Sequence, residues 1–285
     1  MIIERRATRA IRNRRRHRGS AEPAVLLALL LAFLVVATVY VSAAHVFPAP
    51  PPITRVAVQV DHQYSITLYA TGAAFVFAQL GLAYAVFRFR DRGQHAHFTR
   101  GSVLLEILWT CLTALVFLVL GILGSRVWAA VQFSPPAPDT IQVEVTGTQF
   151  VYTFRYPGPD GKFGRLDPAL VNAPAGNPLG LDPKDPAAKD DIVTSTLTVP
   201  VNHPVELLLR SQDVVHNFFV RELRLQQDAV PGTVIPLHFT ADRAGRCEIV
   251  CTQLCGLGHY RMRSFLNVVS ESAYEDFLRQ QAAAQ

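Results

Sequence analysis

Three runs without a charged residue, Ala24 to Ala44, Ser65 to Phe87 and Ile107 to Ser125, mark the first half of the chain. Each is long enough, or nearly so, to cross a bilayer as a helix. Beyond Arg126 no such run recurs and the hydrophobic period changes. Ile141, Val143 and Val145 alternate with polar residues, as do Tyr152, Phe154 and Tyr156, which is strand spacing. Further strand-like runs follow at Ile192 to Val199, Val205 to Leu209, Asn217 to Val220, Thr233 to Thr240, Cys247 to Cys251 and Ser264 to Val269. Short strands separated by turns predict a β-sandwich. Between them, Pro157 to Asp191 is rich in Pro, Gly and Asp and too poor in apolar periodicity for a core element. The tail from Glu271 to Leu278 reads as a helix, with Ser270 as its N-cap.

This divides the chain into a basic arm (1–22), a membrane anchor (23–133) and an exported β-domain (134–285) that opens near Ser134-Pro135-Pro136. Pro48-Ala49-Pro50-Pro51-Pro52 punctuates the loop after the first apolar run. Val41-Ser42-Ala43-Ala44 also leaves room for signal-peptide cleavage, but the run is long for a signal core, so a retained helix is the preferred expectation.

Charge fixes the topology. Eight of the 27 Lys and Arg residues lie between Arg5 and Arg18, directly before the first apolar run. Such a cluster marks a cytoplasmic flank rather than a nucleic-acid surface. Arg88, Arg90, Arg92 and Arg100 lie in the loop that returns to the same side if all three runs span. From Arg126 onward there are 14 basic and 17 acidic residues, so the outer part is net acidic although the whole chain is +5. A positive or neutral partner surface suits it.

Cysteine usage then asks for a metal. Cys111 sits in the third apolar run, while Cys247, Cys251 and Cys255 cluster, too few and too close for a disulfide framework. The stretch Cys251-Thr-Gln-Leu-Cys255-Gly-Leu-Gly-His259-Tyr-Arg-Met262 offers two thiolates, an imidazole and a thioether. Soft sulfur with imidazole favours copper or zinc over magnesium or calcium. A mononuclear blue-copper site takes one thiolate, so two point to a pair of coppers with both thiolates bridging. A second histidine must then come from elsewhere, and His216 in Asp213-Val-Val-His216 is the candidate. Gly256 and Gly258 are expected to let the loop turn tightly. Met262 and a backbone carbonyl are available as weak axial contacts. Zinc remains the competing metal, because Cys251, Cys255, His259 and His216 also make a tetrahedral set. A strand through Cys247 carries it away from the loop, which makes it a small buried hydrophobe.

At these residues the chain resembles subunit II of the haem–copper cytochrome c oxidases, whose loop reads Cys-x-Glu-x-Cys-Gly-x-x-His-x-x-Met with the other histidine in Asp-Val-x-His. The likeness extends through Asp228-Ala229-Val230-Pro231-Gly232 and Glu106-Ile-Leu-Trp109-Thr110, and covers roughly residues 63 to 278. It implies a helical-hairpin anchor, here with an extra N-terminal hydrophobic helix, followed by an all-β cupredoxin-like Greek-key sandwich. It also implies a bacterial inner-membrane protein with the β-domain on the periplasmic side. The domain would hold a dinuclear copper A centre that accepts electrons from cytochrome c or another c-type cytochrome. It would pass them to subunit I, which reduces dioxygen to water with proton translocation. The implied ligands are His216 and Met262 on one copper, His259 and the Gln253 carbonyl on the other, and Cys251 and Cys255 on both. Glu106 matches a glutamate at the cytoplasmic entrance of a proton path, a role the resemblance favours over the rival reading of a carboxylate at a helix end.

The chain departs from the family pattern in three places. Gln253 stands where the family has glutamate, which puts the neighbouring magnesium site in doubt. Gly147-Thr-Gln149-Phe150-Val-Tyr152 has no tryptophan where one usually receives the electron, leaving Phe150 or Tyr152 as substitutes. The first apolar run is additional to the usual two. No Cys-x-x-Cys-His occurs, so the donor haem is carried by another molecule. A copper-free quinol oxidase subunit is disfavoured because every ligand side chain is present. Nitrous-oxide reductase lacks the preceding membrane helices and has a large catalytic domain that is missing here. A membrane-tethered copper or zinc module is the non-enzymatic alternative.

Overall fold

Residues 21–44, 48–90, 98, 100–133 and 137–284 are described by the computed structural model. Most of the basic arm, Arg92, and the Ser134-Pro135-Pro136 boundary lie outside them. The three apolar runs form the helices α1 (Ala21–Ala43), α2 (Arg55–Arg88) and α3 (Val103–Gln132), each long and apolar enough to cross a membrane. Their apolar side chains point outward all round, the pattern of a helix solvated by lipid. Both α2 and α3 run past the charge-free stretches, because helical hydrogen bonding continues outside the hydrocarbon wherever the ends are capped. At the start of α2, buried Thr54 supplies that cap, its Oγ1 accepting the Ala57 N–H at 2.9 Å.

The chain packs as two compact units: Met1–Pro48 with Ser65–Gly121, and Ala49–Tyr64 with Ile122–Gln285. In the second unit the start of α2 is held to the β-structure by the chain itself. Ile53 N–H donates to the Glu222 carbonyl at 3.1 Å, and Asp242 N–H donates to the Ile53 carbonyl at 2.8 Å. The Arg224 guanidinium clasps both oxygens of Asp61, at 2.7 and 2.9 Å.

Ten strands form two five-stranded sheets. The first contains, in spatial order, β3 (Ile192–Thr194), β2 (Val151–Tyr156), β1 (Ile141–Thr148), β5 (Pro204–Ser211) and β8 (Ile235–Thr240). The second contains β4 (Leu197–Pro200), β10 (Arg263–Val269), β9 (Gly245–Val250), β6 (His216–Val220) and β7 (Leu225–Ala229). Pairing is antiparallel except β1 with β5 and β4 with β10. Val143, Val145, Phe154, Leu207 and Leu209 of one sheet and Leu197, Val199, Phe218, Ile249 and Leu266 of the other fill the buried core. This is the cupredoxin-like sandwich the resemblance implied. Tyr156 joins the sheets: its hydroxyl donates to the Thr198 carbonyl at 2.9 Å and accepts the Thr198 N–H at 2.7 Å.

Three details differ from the sequence expectation. The single run Ile192 to Val199 breaks at Ser195-Thr196, and its halves join different sheets. Strand β7 gave no alternating signal because it is an edge strand, paired only with β6 and carrying Gln226, Gln227 and Asp228. The terminal helix α4 (Glu271–Ala283) runs past Leu278, and Ser270 caps it through the Ala273 N–H.

The long segment 157–191 contributes to the core after all, with Leu179 and Ala188 buried. Three short 3-10 turns shape it, each with Asp or Asn at the cap and proline in its first turn. It is anchored through Arg155 of β2, which is 1% exposed. The guanidinium donates to Glu144, to the Gly164 carbonyl at 2.7 Å and to Asp191 at 2.8 Å, and lies against the Phe163 ring.

Candidate metal centre

The register of the second sheet removes the long sequence separation between His216 and the cysteines. Strands β6 and β9 pair at Phe219↔Val250 and Val220↔Ile249. The start of β6 therefore lies beside the segment that leaves β9 at Cys251. A side-chain chain fixes this join: Thr252 Oγ1 donates to Asn217 Oδ1 at 2.6 Å, and Asn217 Nδ2 donates to Asp228 Oδ1 at 2.6 Å. At the foot of the loop, Cys251 N–H donates to the Met262 carbonyl at 3.2 Å.

Within that loop the sulfurs converge. Cys251 Sγ and Cys255 Sγ are 4.0 Å apart, neither in a disulfide. Cys255 Sγ lies 3.8 Å from Met262 Sδ and 3.6 Å from His259 Nδ1. Cys251 Sγ lies 3.2 Å from the Gln253 carbonyl oxygen, while the Gln253 side chain is exposed. Among the described residues, His216, Cys251 and Cys255 form a group whose ligand atoms all lie within 4.8 Å of one another.

His216 is fully buried, and its two ring nitrogens are treated differently. Nε2 is held by Asp213 Oδ1 at 2.7 Å, whereas buried Nδ1 has no hydrogen-bond partner. A buried imidazole nitrogen left open is costly unless a ligand completes it. Burial works against ionised Asp213, but hydrogen bonds from the Gln149 N–H, His216 and the Val214 N–H outweigh it and hold this carboxyl below its usual range. Burial, then the adjacent Cys251 thiol, push the Cys255 thiol up to about 11. A metal taken as thiolate ligand would displace that proton. The donor set is therefore soft and convergent, with one imidazole nitrogen already desolvated, and it fits thiophilic metal ions.

The flanking residues separate cleanly. Tyr152 is 4% exposed, with its hydroxyl donating to the Asn217 carbonyl. Burial first, and then the Cys251 and Cys255 sulfurs, raise its pKa, so the phenol stays neutral. Phe150 is half-buried and lies on the loop: a Cβ at Gly258 would meet its ring at 2.3 Å and one at Gly256 would meet it at 3.2 Å. Gly256 has φ +137 and supplies the turn. Gly258 has φ −95, so its small size serves the close approach of Phe150 rather than a left-handed turn, which corrects the expected reason for that glycine. Cys247 is buried on β9, outside the donor group. Glu106 sits in the first turn of α3, in the other compact unit, with its carboxylate turned back toward Gly101.

Sequence reading did not single out two supporting residues. Gly147 lets the imidazole pack, since a Cβ there would come within 2.8 Å of His216 Cδ2. The signal was a lone glycine inside a strand pattern, which marks close approach of another group. Gln149 carries no such signal in composition or period.

Residues 141–270 match the family model described as cytochrome C oxidase subunit II, periplasmic domain. The alternative cytochrome c oxidase subunit 2 of Bradyrhizobium diazoefficiens is 37% identical over 225 residues, covering 78% of this chain and 80% of that protein. The cytochrome c oxidase subunit 2 of Cereibacter sphaeroides is 31% identical over 243 residues, covering 81% and 78%. Among solved structures, the periplasmic domain of subunit II of cytochrome oxidase (CoxB) of Bradyrhizobium japonicum aligns with 53% of this chain and 99% of its own. Its identity is 22% and its TM-score 0.39.

Proposed function

This chain belongs to the cytochrome c oxidase subunit II family, and from that premise we propose that it is the electron-accepting subunit of an oxidase, holding a dinuclear copper A centre. The observation that carries this reading is the pairing of two free thiols 4.0 Å apart with a buried His216 whose Nδ1 has no partner. One thiol would suit a mononuclear site, and the open His216 Nδ1 lies within reach of both sulfurs. In this reading Cys251, Cys255, His216 and His259 would hold the coppers, with Met262 and the Gln253 carbonyl available as weak contacts.

When bound, a copper pair would supply reversible one-electron storage. The protein's own part is orientation and exclusion of water. Asp213 fixes the His216 ring, Met262 closes the loop at 2% exposure, and the sandwich keeps the sulfur pair dry. The donor is a c-type cytochrome, and subunit I is the acceptor that reduces dioxygen with proton translocation. The arm 1–22 is cytoplasmic, 23–133 anchors the chain in the bacterial inner membrane, and 134–285 is periplasmic. Glu106 serves a proton path into subunit I. Gln253, with an exposed amide in place of a carboxylate, argues against a magnesium ion held from this side.

Copper stoichiometry and electron paramagnetic resonance on the purified oxidase test the proposal. About two coppers per chain with a mixed-valence signal are expected, and His216→Ala or Cys251→Ser should abolish the visible and near-infrared copper absorption. One zinc per chain, or spectra unchanged in the variants, would overturn it.

A further inference from the structure

The ligand donors come from two parts of the chain, the His216 arm and the Cys251–Met262 loop. A third segment, the turn between β1 and β2, touches both. On the histidine side, the Gln149 N–H donates to Asp213 Oδ2 at 2.7 Å, while Asp213 Oδ1 holds His216 Nε2 at 2.7 Å. The turn's preceding residues reinforce this contact: Gln212 N–H donates to the Gly147 carbonyl at 3.1 Å and Thr148 Oγ1 donates to Gln212 Oε1 at 3.1 Å. On the loop side, Gln149 Nε2 donates to the Cys255 carbonyl at 2.5 Å. The Phe150 ring fills the space that side chains at Gly256 and Gly258 would take.

We infer that Gln149 and Phe150 are positioning residues, a latch that registers the cysteine loop against the His216 arm before metal is bound. This inference rests on the copper reading for its spectroscopic consequence, and on the geometry alone for its mechanical one. Gln149 has one backbone and one side-chain hydrogen bond, and the two go to opposite halves of the ligand set. Neither residue is a ligand. Because the Cys255 carbonyl belongs to the residue that carries the second thiol, the amide of Gln149 sets the position of that sulfur through the residue's own Cα and Cβ. Phe150 presses on the backbone between Cys255 and His259, so it acts on the spacing of those two ligands. The same packing gives Phe150 a structural task distinct from receiving electrons.

The test uses the full chain in detergent and Gln149→Leu, which removes the donor and shortens the side chain by one atom. Gln149 is exposed, so the fold does not depend on its burial. Phe150→Leu is the second variant, and Gln149→Glu a third that keeps the backbone bond but loses the amide donor. In the copper-free protein, the rate at which a small aromatic disulfide modifies Cys251 and Cys255 should rise in all three. In the copper-loaded protein, each variant should retain two coppers but release them to a chelator roughly 10-fold to 100-fold faster, the usual cost of removing a group that orients a ligand. The copper hyperfine splitting and midpoint potential should shift as well, which a merely stabilising residue would not cause. Wild-type rates, splitting and potential in Gln149→Leu and Phe150→Leu would overturn the latch. If the wild-type chain itself gave no two-copper signal, the copper reading would fall, and unchanged thiol modification would still decide against the latch separately.

Discussion

Arg155 and His216 are buried to about the same degree, 1% and 0% exposed, but their surroundings differ. Around Arg155 charge answers charge: Glu144 and Asp191 face the guanidinium, and Arg210 reaches the other Glu144 oxygen at 3.0 Å. The cluster sets two guanidiniums against two carboxylates, so its charges compensate one another. Burial nonetheless pushes the Asp191 carboxyl up, against the lowering pull of the Gly164 N–H and Arg155, and its other oxygen has no partner among the described residues. Around His216 the Asp213 carboxylate holds Nε2, the Cys251 and Cys255 thiols lie close, and buried Nδ1 has no partner. The first cluster closes a loop onto a sheet. The second is a set of donors that a cation would complete. A polar cluster whose charges already balance is a structural joint, and one with aligned donors and no acceptor is a ligand site.

The comparison breaks most visibly at the joint. Arg155→Met should lower the unfolding free energy of the β-unit by about 3–5 kcal/mol, since Asp191 would be left buried without a cation and Glu144 would keep only Arg210. Denaturant unfolding of the detergent-solubilised chain measures this. The triple replacement of Arg155, Glu144 and Asp191 by apolar residues of similar volume should recover most of the loss. A cost below about 1 kcal/mol for Arg155→Met would mean that the segment 157–191 is held by its other contacts. The next effect is Gly147→Ala, where the new methyl would meet the His216 ring at 2.8 Å. Overpacking of this kind costs about 1–3 kcal/mol. Unlike the change at Arg155, it should weaken metal retention as well as the fold, so copper content and unfolding need to be followed on the same preparation.

How far these two clusters were legible in the sequence follows from their chemistry. Cys251, Cys255, His259 and Met262 stood out because rare residue types occur at short spacing, and His216 stood out because two bridged metals need a second imidazole. The β-strands of the core showed themselves through alternation, as at Val143 and Val145. Arg155, Glu144 and Asp191 did not stand out, because charged residues are common and their meeting depends on a loop closing back over β2. Strand β7 stayed hidden for the related reason that a polar edge strand has no buried face to impose a period. Gln149 was illegible because its role lies in hydrogen bonds that form only once β1, β6 and the cysteine loop are assembled.

At the metal end, Asp213→Asn separates orientation from ligation. The amide keeps one acceptor oxygen but loses the carboxylate charge that faces His216 Nε2. Retention of copper against a chelator should fall by roughly 10-fold to 100-fold. Unfolding of the copper-free chain should shift by only about 0.5 kcal/mol, because the side chain is near the surface. Equal losses in both would make Asp213 a joint like Arg155 rather than part of the ligand site.

The smallest effect belongs to Cys247, the cysteine that shares the buried sheet but not the donor group. Its replacement by Ala should leave the copper spectrum unchanged and cost about 1 kcal/mol from lost packing. Burial, and then the Glu222 carboxylate, push this thiol up to about 11 from an ordinary value of 9.0. Because the folded value is the higher one, the unfolded thiol ionises first as pH rises. Stability from this position is therefore intact below pH 9.0 and is lost between pH 9.0 and about 11. The Ala variant should lack that part of the alkaline decline. An alkaline stability profile that is the same in wild type and variant would show that Cys247 is not held neutral by its site. A changed copper spectrum would instead place it among the ligands and merge the two regions that the comparison keeps apart.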